Sequence, residues 1–251
     1  MGGKIESVAP CQQPNWPEEL LPDNDEELVA FMAQFPPLPA GLPTVEEMEK
    51  QAVEHARIET ETKALGDAIL RFLSQWANLE NTCSRLFYDV VHCSPQESHV
   101  AYAIYHALGG FESHLTVLGA ALEQLIVENT DLEVLKEPWR KVLDALRKIK
   151  VTRNSVAHGS ISTILHNNQR YVRLTAPWFD VKKNAGQLRN HNIPGIDGKA
   201  LEERLIYLNG VASAVGLLDR AIEQYRKYGD GVLPQAVLDI NSALGLLKRP
   251  D

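Results

Sequence analysis

"LGDAILRFLSQWANLENTCSRLFYDV", residues 65–90, decides the fold class. Its apolar positions Leu65, Ile69, Phe72, Trp76, Leu79, Cys83, Leu86 and Val90 recur in steps of 4, 3, 4, 3, 4, 3 and 4. That spacing puts them on one stripe of a helix that packs along its whole length. Upstream, Thr44 and Glu47 have the spacing of a capping box, so the helix starts there. Downstream, "HCSPQES" ends it, and Ser94, Pro95 and Glu97 suit the cap, first and third positions of a second long helix. That helix runs through residues 99–129, with Gly109-Gly110 as a kink or a close crossing.

A third helix opens at Pro138, with Trp139, Val142, Leu143, Leu146, Ile149 and Val156 at helical spacing. Gly159 suits a left-handed position that ends it. "SISTILHNNQRYVRLTAPW", residues 160–178, alternates around His166 to Gln169 and predicts a β-hairpin. A loop follows. A fourth long helix is expected from about Lys199 to Tyr228, on the stripe Leu201, Leu205, Leu208, Ala212, Val215, Leu218 and Ile222. A short helix near Leu233–Leu247 closes the chain. Four long amphipathic stripes predict a mostly α fold, a four-helix bundle with a β-hairpin between the third and fourth long helices. Residues 1–43 hold eight of the fourteen prolines. They read as an extended, acidic, Pro-rich arm with one short helix over 23–35, ahead of a single helical domain over 44–251.

Several classes are excluded. No run of 18 apolar residues predicts a membrane span. The start has no basic-then-apolar leader, and Glu6 does not suit myristoylation of Gly2. Cys11, Cys83 and Cys93 are too few and too scattered for a disulfide framework or a zinc site. There is no Gly-rich phosphate loop and no nucleophile elbow. The expectation is a cytoplasmic chain without metal or cofactor.

Charge is uneven. The net charge is −8, which argues against a general nucleic-acid coat. Residues 1–61 carry a net −10, from three bases and thirteen acids. Residues 138–190 carry a net +9, from eleven bases and two acids. Two readings fit this asymmetry: two ordinary solvated faces, or a local anion-binding surface partly covered by the acidic arm.

Inside that block lies "RNSVAH", residues 153–158. On a helix, Asn154 and His158 are i and i+4 and stack on one face. His158 lies about 140° around from Arg153 at 100° per residue, so one helix brings Arg and His together only with a reach. Two copies meeting near a two-fold axis would supply Arg153 from one chain and His158 from the other. Exposed carbonyls at the helix end favour an imidazolium at His158. Histidine exchanges protons near neutrality, arginine offers a planar fork for phosphate, and asparagine orients by hydrogen bonds. These parts suffice for metal-independent RNA cleavage, which needs two proton carriers; two His158 residues of a dimer supply them.

This Arg-x4-His pattern with a polar residue after the arginine resembles the signature of the HEPN superfamily. "WANLEN", "AYAIYHALGGFESHL", "RNSVAHGSI" and the closing long helix extend the likeness over roughly residues 65–228. The resemblance implies a helical bundle, often dimeric. It also implies a metal-independent RNase of toxin–antitoxin, phage-defence or RNA-processing type, with Arg153, Asn154 and His158 as the working residues. An antitoxin or other partner protein would fit it, as would the alternative of a non-catalytic module binding RNA, a nucleotide or a protein. A helix-ending role for His158 and an acid partner for Arg153 are the purely structural alternatives.

Other polar residues fall near the same place. Glu80, beside Leu79, suits an auxiliary group that orients His158 or Arg153. Lys150, Arg170 and Arg173 suit RNA phosphates, the last two because the hairpin grows from the His158 end. His99, Tyr102 and His106 share one helix face, with His114 beyond. They could line a cleft, but their spacing is too long for zinc.

Overall fold

The computed structural model describes residues 43–91, 98–175 and 195–245. All but the last residue of the expected arm, the cap at Ser94 to Glu97 and most of the loop before residue 195 lie outside them. The chain divides into two compact units, Met1–Ala52 and Val53–Asp251. That border falls inside the first helix.

The described residues are mostly helical, with one two-stranded antiparallel hairpin. The elements are α1 (Val45–Val90), α2 (Ser98–Ala107), α3 (Phe111–Glu128), α4 (Lys136–His158), β1 (Ser160–His166), β2 (Gln169–Thr175), α5 (Gly198–Tyr228) and α6 (Leu233–Gly245). The capping box at the start of α1 is present. The Thr44 amide donates to Glu47 Oε2 at 2.7 Å, and the Glu47 amide donates to Thr44 Oγ1 at 3.2 Å.

Within Val53–Asp251, the α1 stripe is buried from Leu65 to Val90, with Ile69 at its flank. It shares one core with Leu115, Leu118 and Leu122 of α3, Val142, Leu146 and Ile149 of α4, and Leu208, Val215 and Ile222 of α5. Helix α5 has the length and mean hydropathy of a membrane span. Most of its apolar side chains, among them Leu201, Leu208, Val215 and Ile222, are packed in this core, and Ile206 is exposed.

The second expected helix differs. It is broken at Leu108–Gly110 into α2 and α3, because Gly110 takes φ 90, which no helix contains. No neighbour lies within 4 Å of a Cβ built on Gly110. Glycine is needed there for its backbone angle alone. Gly159 reverses that logic. Its φ of −78 and ψ of 170 are extended backbone, not the expected left-handed turn. A Cβ there would lie 2.5 Å from the Ser155 carbonyl, 2.7 Å from the Thr175 carbonyl and 2.8 Å from Leu174 Cδ1. Glycine is needed because β2 returns against the end of α4.

The hairpin turns at Asn167 and Asn168, both with positive φ, 50 and 60. Paired left-handed residues make the tight turn whose twist suits two strands. Its base is held three ways. Ser162 and Thr175 hydroxyls lie 3.1 Å apart, Leu174 and Ile196 exchange backbone bonds of 2.8 and 2.9 Å, and Arg173 pairs with Asp197 at 2.5 Å. Asp197 also caps α5 by accepting from the Ala200 amide at 2.7 Å. The last turn of α4 is thereby tied to the first turn of α5.

One carboxyl in the helical core titrates out of range. Asp219 of α5 is 4% exposed and takes a hydrogen bond of 2.6 Å from Arg85 Nε of α1. Burial first, and a hydrogen bond with Asp89 second, push its pKa from 3.8 up to about 6, against the pull of Arg85. The fold therefore favours the protonated form. That contribution is complete below pH 3.8 and is lost as pH rises through about 6. Its size is on the order of 1–3 kcal/mol. The melting temperature of the wild type, measured relative to Asp219→Asn, is expected to fall by several degrees from pH 4 to pH 7. A difference that does not move with pH would show that Asp219 is ionised throughout.

Candidate functional site

The last turns of α4 carry the residues that the sequence singles out. Thr152 and Val156 are buried and anchor the inner face. Lys150 and Arg153 sit half-buried at its edge, and Asn154 and His158 are exposed. Lys150, Arg153 and Asn154 line a cleft of about 320 Å³. Trp76 and Glu80 of α1 form its second wall. The Gly109-Gly110 break with Phe111, Glu112 and His114 forms the third. A cleft of this size takes a small ligand or one unit of a polymer.

Arg153 differs from its basic neighbours. Glu112 accepts from Lys150 Nζ at 2.8 Å and from Arg147 Nε at 3.4 Å. The Lys150 hydrogen bond holds the Glu112 carboxyl below the usual range. Among the described residues, Arg153 has no carboxylate partner. Its guanidinium lies 5.9 Å from the centroid of the Trp76 ring, and Nη1 makes a long contact of 3.4 Å with Asn154 Oδ1. Trp76 is 3% exposed and packs edge-on against Phe111 at 4.6 Å. The ring is therefore a fixed platform under a cation.

Glu80 lines the same cleft without an ion pair to Arg153 among the described residues. Of the aromatic and histidine residues on the α2 side, His114 reaches the cleft. His106 instead lies 3.3 Å from Ser84 Oγ and 4.1 Å, centroid to centroid, from Tyr102. His99 is exposed. Among the described residues, no three His, Cys, Asp or Glu side chains converge as metal ligands would. Cys83 is fully buried, and burial pushes its thiol up to about 12, so it stays protonated and unreactive.

His158 closes α4 one turn beyond Asn154 and does not line the cleft. Its exposure leaves the imidazole open to a second molecule. Arg170 is exposed on β2, and its carbonyl accepts from Arg57 Nη2 at 2.7 Å. Arg173 lies elsewhere. It is held by Asp197 in a separate cleft of about 710 Å³, lined also by Arg57, Arg71 and Tyr171. Four of the expected site residues thus meet in one cleft, and His158, Arg170 and Arg173 lie outside it. Trp76, which with Phe111 completes the cleft, belongs in the sequence to the buried stripe of the first long helix. The Gly109-Gly110 pair was the signal that something happens there.

Comparison of this chain with protein-family models, with curated proteins and with solved structures finds no match.

Proposed function

We propose that this protein is a metal-independent endoribonuclease of the HEPN type, working at a site completed between two copies of the chain. The observation that carries this reading is Arg153, a guanidinium without an acid partner among the described residues, poised over Trp76 beside Asn154 at the rim of a cleft. An unneutralised arginine fork is a receptor for phosphate oxygens. The backbone phosphate of RNA binds Arg153, and Asn154 orients it. A base takes the 2′-OH proton, and the 2′-oxygen attacks the adjacent phosphorus. Arg153 offsets the charge that develops on the phosphoryl oxygens. The bond to the 5′-oxygen breaks as an acid protonates it. The products are a 2′,3′-cyclic phosphate and a free 5′-hydroxyl. His158, exposed at the end of α4, is the acid, presented to the cleft of a second copy.

The placement of His158 outside the cleft favours a second reading, an RNA- or nucleotide-binding module that does not cleave. Incubation with single-stranded RNA in EDTA separates the two. Cleavage with cyclic-phosphate ends supports the enzyme. Salt-dependent binding without cleavage supports the module.

A further inference from the structure

We infer that His114 is the proton acceptor of this site, so that the second proton carrier comes from the cleft itself rather than from a second His158. The inference rests on the ribonuclease reading above. It starts at the helix break. Ending α2 at Ala107 leaves carbonyls without helical donors. The carbonyl of Leu108, the residue just past that end, lies 3.1 Å from His114 Nε2. A carbonyl oxygen only accepts, so Nε2 carries the hydrogen. In the neutral ring the lone pair is then on Nδ1, and that nitrogen is the one able to take a proton.

The ring is held for this purpose. It stacks on Tyr105 at 4.4 Å between centroids, and Tyr105 is 1% exposed and fixed in the core. His114 is half-buried and lines the cleft with Arg153 and Asn154. Around it, Glu80 stands on α1, Tyr105 and His106 on α2, Lys150 and Arg153 on α4, and Glu112 on its own helix. Glu112 is engaged by Lys150.

The step balances. Nδ1 of His114 takes the 2′-OH proton, the 2′-oxygen bonds to phosphorus, the P–O5′ bond breaks, and the His158 imidazolium gives its proton to O5′. Exchange with water restores both rings.

His114→Gln is the test, because glutamine keeps an N–H near the Nε2 position and has no group that titrates. The variant is expected to melt at the wild-type temperature and to cleave RNA about 100-fold or more slowly. The acidic limb of its pH–rate profile should flatten, while the alkaline limb, set by the acid, remains. Side-chain ¹⁵N spectra of the wild type should show His114 as the Nε2–H tautomer. Wild-type cleavage with an unaltered rate and profile in His114→Gln overturns the assignment and leaves the ribonuclease reading standing. An Nδ1–H tautomer does the same. No cleavage by the wild type overturns both.

Discussion

Gly159→Ala is expected to destabilise the protein by about 1–3 kcal/mol, the usual range for over-packing a site that cannot relax. The backbone angles at Gly159 are open to alanine, so the cost is not conformational. It is steric. The added Cβ meets two backbone carbonyls, of Ser155 at 2.5 Å and of Thr175 at 2.7 Å. Backbone oxygens cannot swing aside as a flexible side chain would. The hairpin base must instead lift from the end of α4, against the Leu174–Ile196 bonds and the Arg173–Asp197 pair. Equilibrium denaturation with urea reads the loss. Gly159→Asn separates this account from a left-handed cap. Asparagine tolerates positive φ, so a left-handed position would accept it. Here it should cost at least as much as alanine. An asparagine variant as stable as the wild type would sink the steric account. RNA cleavage should also fall in both variants, because His158 stands directly before the displaced residue.

His158→Ala is expected to reduce RNA cleavage by about 100- to 10,000-fold, the usual worth of a positioned proton donor. It should leave stability within about 0.5 kcal/mol, because the side chain is exposed and makes no hydrogen bond among the described residues. This pairing of a large kinetic effect with a small thermodynamic one distinguishes chemistry from a helix-ending role. A histidine that only closed α4 would give the reverse. Binding of a non-cleavable RNA, with 2′-deoxy at the scissile position, should be nearly unchanged, because Arg153 and Asn154 remain. Cleavage that persists at the wild-type rate in the alanine variant would falsify the role of His158.

Much of the fold was legible in short-range pattern. The stripe from Leu65 to Val90, the Thr44–Glu47 box, the stripe of α5 and the paired asparagines of the hairpin depend on neighbours within a few residues. Local sterics and burial of one face settle them. Gly110 and Gly159 mark where that reading stops. Both border a helix, and residue type alone does not separate a backbone-angle requirement from a contact with a strand that returns sixteen residues later. The site divides in the same way. Arg153 and Asn154 were found because they belong to one turn of one helix. That Arg153 would stand over Trp76 and have no acid partner among the described residues, while Arg173 would be taken up by Asp197, was not readable.

By itself, then, the sequence determined which segments are helical, which faces are buried, where the hairpin turns and that Arg153, Asn154 and His158 share the end of one helix. These follow from periodicity and capping, which act along the chain. Only the tertiary structure decided that the break at Gly110 would bring His114 to the cleft holding Arg153 and Glu80. Only it decided that His158 would be left facing outward and that Gly159 would be hemmed in by β2. Those are contacts between residues distant in sequence, set by how the helices pack, and no local pattern encodes them.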